Sequence, residues 1–378
     1  MEENNMKKVK ALFCVLAVAA AIGFVSCSTD SKYEEPKPAP AKPSDEEPKP
    51  APAKPSEGSG DKPTENNSEQ NNANSGNKTP TESEKYEEPK PAPAKPSEGS
   101  GDKPADDKPE SFVSKYLTMK EIAAGTFKFK YGADDTAENV SLPAFKISDT
   151  EITQELYEAV METNPSSFKE DASEGEAQEK RPVDSVSFYA ALVFCNKLSE
   201  KEGLTPIYKI GDSTDTSKWG DIPPANDDTW NAVTEDENAN GFRLPHEKEW
   251  MFAALGDKAE NFSGFDNACF AGATGETDLN QYAWYKARFE GENNVNGGNS
   301  DGKTHQVAKK SHNSNGLFDM SGNLWELCWE SIDNGNHVRR GGAFESEWTD
   351  QLAVSTRWDV PPEAAWDSVG FRIVQKSE

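Results

Sequence analysis

Residues 315–372 read NGLFDMSGNLWELCWESIDNGNHVRRGGAFESEWTDQLAVSTRWDVPPEAAWDSVGFR, and this stretch decides how the rest of the chain is read. Two Gly-containing apolar blocks bracket it, Gly316 to Trp325 in front and Val369 to Arg372 behind. Between them lies a run dense in Trp, Glu, Asp and Pro with no sustained helical or strand period. That pattern predicts a scaffold in the blocks and a working surface between Gly342 and Val369.

Composition limits what such a surface can meet. The net charge of −27 argues against nucleic acid, since phosphate binding needs surplus Lys and Arg. It equally disfavours electrostatic docking on anionic lipid. The five cysteines are Cys14, Cys27, Cys195, Cys269 and Cys328, and no two form a C-x-x-C pair. The four histidines lack metal-ligand spacing.

The chain opens with a basic segment (Lys7, Lys8, Lys10) and an apolar run, Ala11 to Val25, too short for a stable bilayer span. Met6 is an alternative start that would remove the acidic residues ahead of it. These are the parts of a secretory signal. Phe24-Val25-Ser26-Cys27 resembles the lipobox of bacterial lipoproteins, with Phe24 where Leu is usual. The expectation is a signal peptide over 1–27 and lipidation at Cys27, with several acyl chains anchoring the protein. A plain secreted protein with a free Cys27 is the alternative. Ser28, rather than Asp, follows the cysteine, which favours the outer membrane.

Residues 28–110 are mostly Pro, Lys, Glu, Ala, Ser, Gly and Asn. KYEEPKPAPAKPS occurs at Lys32 to Ser44 and again at Lys85 to Ser97. A segment so poor in large apolar side chains cannot offset the entropy of ordering. Its proline favours extended polyproline backbone, at roughly 3.1 Å per residue. The reading is a disordered stalk that lifts a head off a membrane, with a ligand for a Pro-binding module as the alternative.

The head, 111–378, alternates strand and helix signals. Ile122 to Phe129 and Leu142 to Ile147 read as strands. Thr153 to Met161, Phe188 to Lys201 and Glu247 to Leu255 read as helices, with Thr150 and Thr153 as candidate caps for the first. Residues 211–240 read as loop, with Trp219 and Trp230 packed. Gly264 to Thr304 is a long loop interrupted by a strand-like Tyr282 to Tyr285. Asn293, Asn294, Asn296, Asn299 and Asp301, with the Gly297 carbonyl, supply oxygens that could hold a structural Ca2+, although not at EF-hand spacing.

Several separated motifs in the head resemble one family. They are Gly125-Thr126-Phe127, Glu151-Ile152-Thr153, Pro182-Val183 with Val186-Ser187-Phe188, and Gly241-Phe242-Arg243-Leu244-Pro245 with Glu249-Trp250. Gly316 to Glu326, Arg340-Gly341-Gly342-Ala343-Phe344 and Gly370-Phe371-Arg372 complete the set. Together they resemble the formylglycine-generating-enzyme (sulfatase-modifying factor) domain. The resemblance implies an α+β, irregular C-type-lectin-like fold with little regular secondary structure. It also implies an oxidase that uses two cysteines in the segment after the RGGS element. Those positions fall near Thr349 and Val354, but no cysteine follows Cys328. The chain is therefore expected to be no enzyme and to require no cofactor; a divergent formylglycine-generating enzyme is the alternative.

A further branch of the family comprises the variable proteins of diversity-generating retroelements, which use this domain as a receptor and rewrite the segment between RGGSW and GFR. The lipobox with this domain resembles the treponemal variable lipoproteins of that branch. Residues 342–369 would then be the variable-type segment, with Leu352 to Ser355 as an inner strand. The ligand-binding candidates are Phe344, Glu345, Ser346, Glu347, Trp348, Thr349, Asp350, Thr356, Trp358, Asp359, Val360, Trp366, Asp367 and Ser368. Aromatics of this kind concentrate binding energy. The acidic residues favour a basic partner, protein or glycan.

Overall fold

A computed structural model describes residues 111–131, 135–332 and 334–377. The expected signal peptide with Cys27 (1–27) and the stalk (28–110) lie outside the described residues.

In chain order the strands are β1 Met119–Ile122, β2 Gly125–Phe129, β3 Glu138–Leu142, β4 Phe145–Ser148, β5 Tyr208–Lys209, β6 Thr234–Glu235 and β7 Phe242–Arg243. They continue as β8 Phe289–Glu290, β9 Asn293–Asn294, β10 Trp325–Ser331, β11 His337–Arg340, β12 Trp358–Val360, β13 Val369–Gly370 and β14 Val374–Lys376. The α-helices are α1 Gln154–Met161, α2 Phe188–Lys201, α3 Asp228–Asn231 and α4 Glu247–Leu255.

Local chemistry explains the helix limits. Thr153 caps α1 by accepting from Leu156 N, and Glu162 ends it in the left-handed region. Ser187 caps α2 through Ala190 N. Phe188 through Cys195 are all buried, as expected of a helix that runs through a core rather than along it. At α4, Glu249 reaches back to accept from His246 N at 2.8 Å.

The first sheet has the order β1-β4-β14-β7, all antiparallel, so the last strand of the chain lies between two earlier ones. The second has the order β12-β11-β10-β13, with β10 and β13 parallel. One core surrounds α1 and α2, and another joins the first sheet to α4 and to the inner faces of β10 and β11.

Five expectations need correction. Ile122 to Phe129 is two strands in different sheets, because Gly125 admits the Phe252 ring where a Cβ would lie 2.5 Å from its Cζ. Leu142 to Ile147 likewise breaks at Pro143, which has no N–H to give a ladder. Tyr282 to Tyr285 contributes one bridge, Trp284 to Gly322, and no strand. Leu352 to Ser355 is buried but is not a strand. It follows a 3-10 turn, Thr349–Leu352, and a short apolar run does not distinguish these outcomes. The strand of this segment is β12. Within 211–240, expected as loop, lie α3 and β6, and Trp219 and Trp230 pack edge to face at 5.6 Å.

The sequence motifs meet as buried ion pairs. Glu326 accepts from Trp250 Nε1 at 2.6 Å and takes both arms of Arg372, at 2.6 and 2.7 Å. Arg340 pairs with Glu247 and donates to the carbonyls of Val354 at 3.1 Å and Thr356 at 2.9 Å. Arg243 forks onto Glu249 at 2.7 Å on each arm. Charges buried this deeply require such partners. Glu151 accepts from Asn323 Nδ2 and Leu324 N. Burial, with Asp319 and Glu326 nearby, holds its carboxyl well above the usual range.

Candidate binding surface

The second sheet ends at an edge strand, β12, hydrogen-bonded to β11 with Trp358 opposite Arg339. Trp358 and Val360 point to the same face of β12, but Trp358 is 47% exposed whereas Val360, covered by the core around α2, is 1% exposed. Trp348 is 53% exposed and Trp366 42%. These three rings form one surface. Trp348 and Trp358 line a shared groove with Asp350, Gln351 and Thr356. Trp358 and Trp366 both lie over the Arg339 guanidinium, at 5.7 and 4.8 Å. Buried Trp325 forms the floor, 5.0 Å from the same guanidinium and 5.9 Å from the Trp358 ring.

The rim is braced mostly from outside the segment. The Arg288 guanidinium stacks 3.9 Å from the Trp348 ring, and Lys286 pairs with Glu347 at 2.6 Å. Asn296 Nδ2 donates to the Glu347 carbonyl at 2.8 Å. Thr349 Oγ1 donates to Glu276, and Thr356 Oγ1 donates to the Asp350 carbonyl. Asp359 accepts from Asn336 Nδ2 at 2.6 Å. Glu345, Glu347, Asp350 and Asp367 are exposed, so the aromatic surface has an acidic edge.

Four expected ligand-binding residues are buried and belong to the frame. Phe344 packs edge-on to Phe168 at 5.0 Å, and its carbonyl accepts from Ser300 Oγ at 2.7 Å. Ser346 Oγ accepts from Ala343 N at 3.0 Å, closing the turn after the two glycines. Val360 joins the core around α2. The Ser368 carbonyl accepts from Trp325 N at 2.9 Å, which ties it to β10. Each is covered by packing from elsewhere in the head, which the residue types alone do not reveal.

The oxygen-rich loop is knitted to itself. Asn296 Oδ1 accepts from Arg288 N and Gly298 N, and Asn294 Oδ1 accepts from Gly297 N. Asn299 bonds the Asn280 side chain at 2.6 Å. These amides hold the loop that braces Glu347.

A family model for the sulfatase-modifying factor enzyme 1-like domain matches residues 106–377. The chain belongs to this family. A chaperone protein, LppX, of Paenibacillus barcinonensis is 34% identical over 253 residues, covering 63% of this chain and 82% of the relative. The inactive C-alpha-formylglycine-generating enzyme 2 of Bos taurus is 27% identical over 151 residues, 38% of this chain and 47% of that protein. Among solved structures, variable protein 1 of Treponema denticola superposes with a TM-score of 0.57 at 35% identity. It covers 69% of this chain and 95% of its own. The head is thus a sulfatase-modifying-factor-like scaffold with the C-type-lectin-like fold also used by a variable protein.

The three cysteines among the described residues lie outside the candidate surface. Burial pushes the thiols of Cys195 and Cys328 well up, and Cys269 moves in the same direction. All three are free thiols whose environments disfavour the reactive thiolate.

Arg339 is not among the residues that the sequence singles out. Alternation places Arg339 and Arg340 on opposite faces of β11, and both are buried. Arg340 meets Glu247, and Arg339 lies beneath Trp358 and Trp366.

Proposed function

We propose that the head is a ligand-binding module, and that the surface of Trp348, Trp358, Trp366 and their acidic neighbours is the binding site. The observation that carries this reading is the continuity of three large exposed aromatic rings on a braced frame. Exposed tryptophans in a contiguous patch have little reason to stay in water unless a partner covers them. Trp is enriched where binding energy concentrates.

The reading extends to the whole chain. A signal peptide ending at lipidated Cys27 and a stalk over 28–110 would present the head at a bacterial outer membrane. Residues 342–369 would be the segment diversified in a retroelement system, with the frame unchanged between copies. The partner is a protein or glycan, not nucleic acid, and a structural Ca2+ in the 293–301 loop is an accessory at most. The family's oxidase chemistry needs two cysteines in this segment, and none follows Cys328.

The test replaces Trp348, Trp358 and Asp350 together with Ala in the full chain. Capture of the ligand-bearing cells or extract fraction should be lost while the melting transition persists. Undiminished capture by a folded variant would overturn the reading. Oxygen consumption with a Cys-containing peptide and copper would instead support the enzyme.

A further inference from the structure

We infer that the pit at Arg339 is an anion subsite, taking the carboxylate of an acidic side chain on a peptide segment flanked by basic residues. This deepens the binding-surface reading and rests on it.

The protein supplies its own comparison. Arg340, Arg372 and Arg181 are all buried, and each is paired. Arg340 has Glu247 and two carbonyls, Arg372 has Glu326 and two carbonyls, and Arg181 has Thr304 Oγ1 and the Glu170 carbonyl. Arg339 is 6% exposed, and its buried Nε has no hydrogen-bond partner. Among the described residues its guanidinium forms no ion pair. It is held by the faces of Trp325, Trp358 and Trp366 at 4.8 to 5.7 Å. Stacking satisfies the faces of a guanidinium but not its in-plane N–H groups, which match a carboxylate in a two-pronged bond. Burial lowers the Arg339 pKa to about 10, with Glu345 and Asp359 opposing, so it stays cationic at neutral pH.

The pit opens into a groove lined by Ser167, Glu345, Ala365, Trp366, Asp367 and Ser368. The groove therefore has one cation at its base and acids at its rim. A complementary ligand has an anion at its centre and cations beside it. A polypeptide segment carries that alternation, whereas an acidic polysaccharide offers only the anion. Aromatic walls that exclude water strengthen the pairing at the base.

The experiment pans a random peptide library on the immobilised full chain. Clones are sorted by loss of binding to the Trp358→Ala and Arg339→Gln variants. Clones sensitive to both variants should carry Asp or Glu flanked by Lys or Arg. Changing that Glu to Gln in the peptide should weaken binding by at least about tenfold. The peptide-side change leaves the protein untouched, so the result stands even if Arg339→Gln unfolds. Clones lost with Trp358→Ala that lack an acidic residue, or tolerate its neutralisation, overturn the anion subsite and leave the binding surface standing. Absence of any clone sensitive to Trp358→Ala overturns both. Glucuronate displacing the selected peptides as well as the free acidic peptide does would transfer the subsite to acidic sugars and overturn the peptide assignment.

Discussion

Single residues divide here into those that hold the fold and those that face outward, and the same residue type occurs in both classes. Trp325 is 3% exposed and Trp348 is 53% exposed. Trp325→Ala should lower stability by about 3–5 kcal/mol, and Trp348→Ala should change it by no more than about 0.5 kcal/mol. Denaturant unfolding of both variants measures the difference. Arginine divides in the same way. Arg372→Met removes both bonds to buried Glu326 and strands its charge beside Glu151 and Asp319, so it should cost about 3–5 kcal/mol. The motifs make this network legible in the sequence, since Gly370-Phe371-Arg372 and Gly316 to Glu326 mark the frame. Which acid met which base was not legible, because long-range pairing leaves no local mark.

At the scale of elements, the joints matter more than the strands they connect. Gly322 has φ +83°, and a Cβ there would lie 2.3 Å from the Trp284 carbonyl oxygen. Gly322→Ala should therefore destabilise by more than about 1 kcal/mol, read from the shift in melting temperature. The start of α4 carries a pH dependence. Burial alone would lower the pKa of His246, but its bonds to Glu235 and Glu330 overcome this and raise it from 6.5 to about 9. A raised folded value means that the proton is held more tightly in the native state. The stabilisation from His246 is thus complete below about pH 6.5 and is lost as pH rises through about 9. Melting temperatures across pH 6 to 10 should fall for the native chain and fall less for His246→Gln. The helices were readable from sequence because their caps and 3.6-residue period are local signals. Leu352 to Ser355 was misread because four buried residues in a row carry no period, and their backbone bonds go to Asp350 and Cys269.

At the scale of the whole head, the organisation is a frame closed by β13 and β14. β14 lies between β4 and β7, and β13 lies beside β10, so residues 369–376 lock both sheets. The segment between Gly342 and Val369 is anchored at each end and need not be regular in the middle. That arrangement lets an outward-facing set change while the inward-facing set stays fixed. The boundary between the sets follows burial rather than sequence blocks: Phe344, Ser346, Val360 and Ser368 fall inside a run first read as display. A saturation scan of residues 344–368 that scores the protease-resistant, folded fraction of each variant tests this division most directly. Near-neutral substitution is expected at Glu345, Glu347, Trp348, Asp350, Trp358, Trp366 and Asp367, with sharp loss at Phe344, Ser346, Leu352 to Ser355, Val360 and Ser368. Uniform intolerance along the segment, as in a packed wall or an active site, would contradict a frame that carries a display.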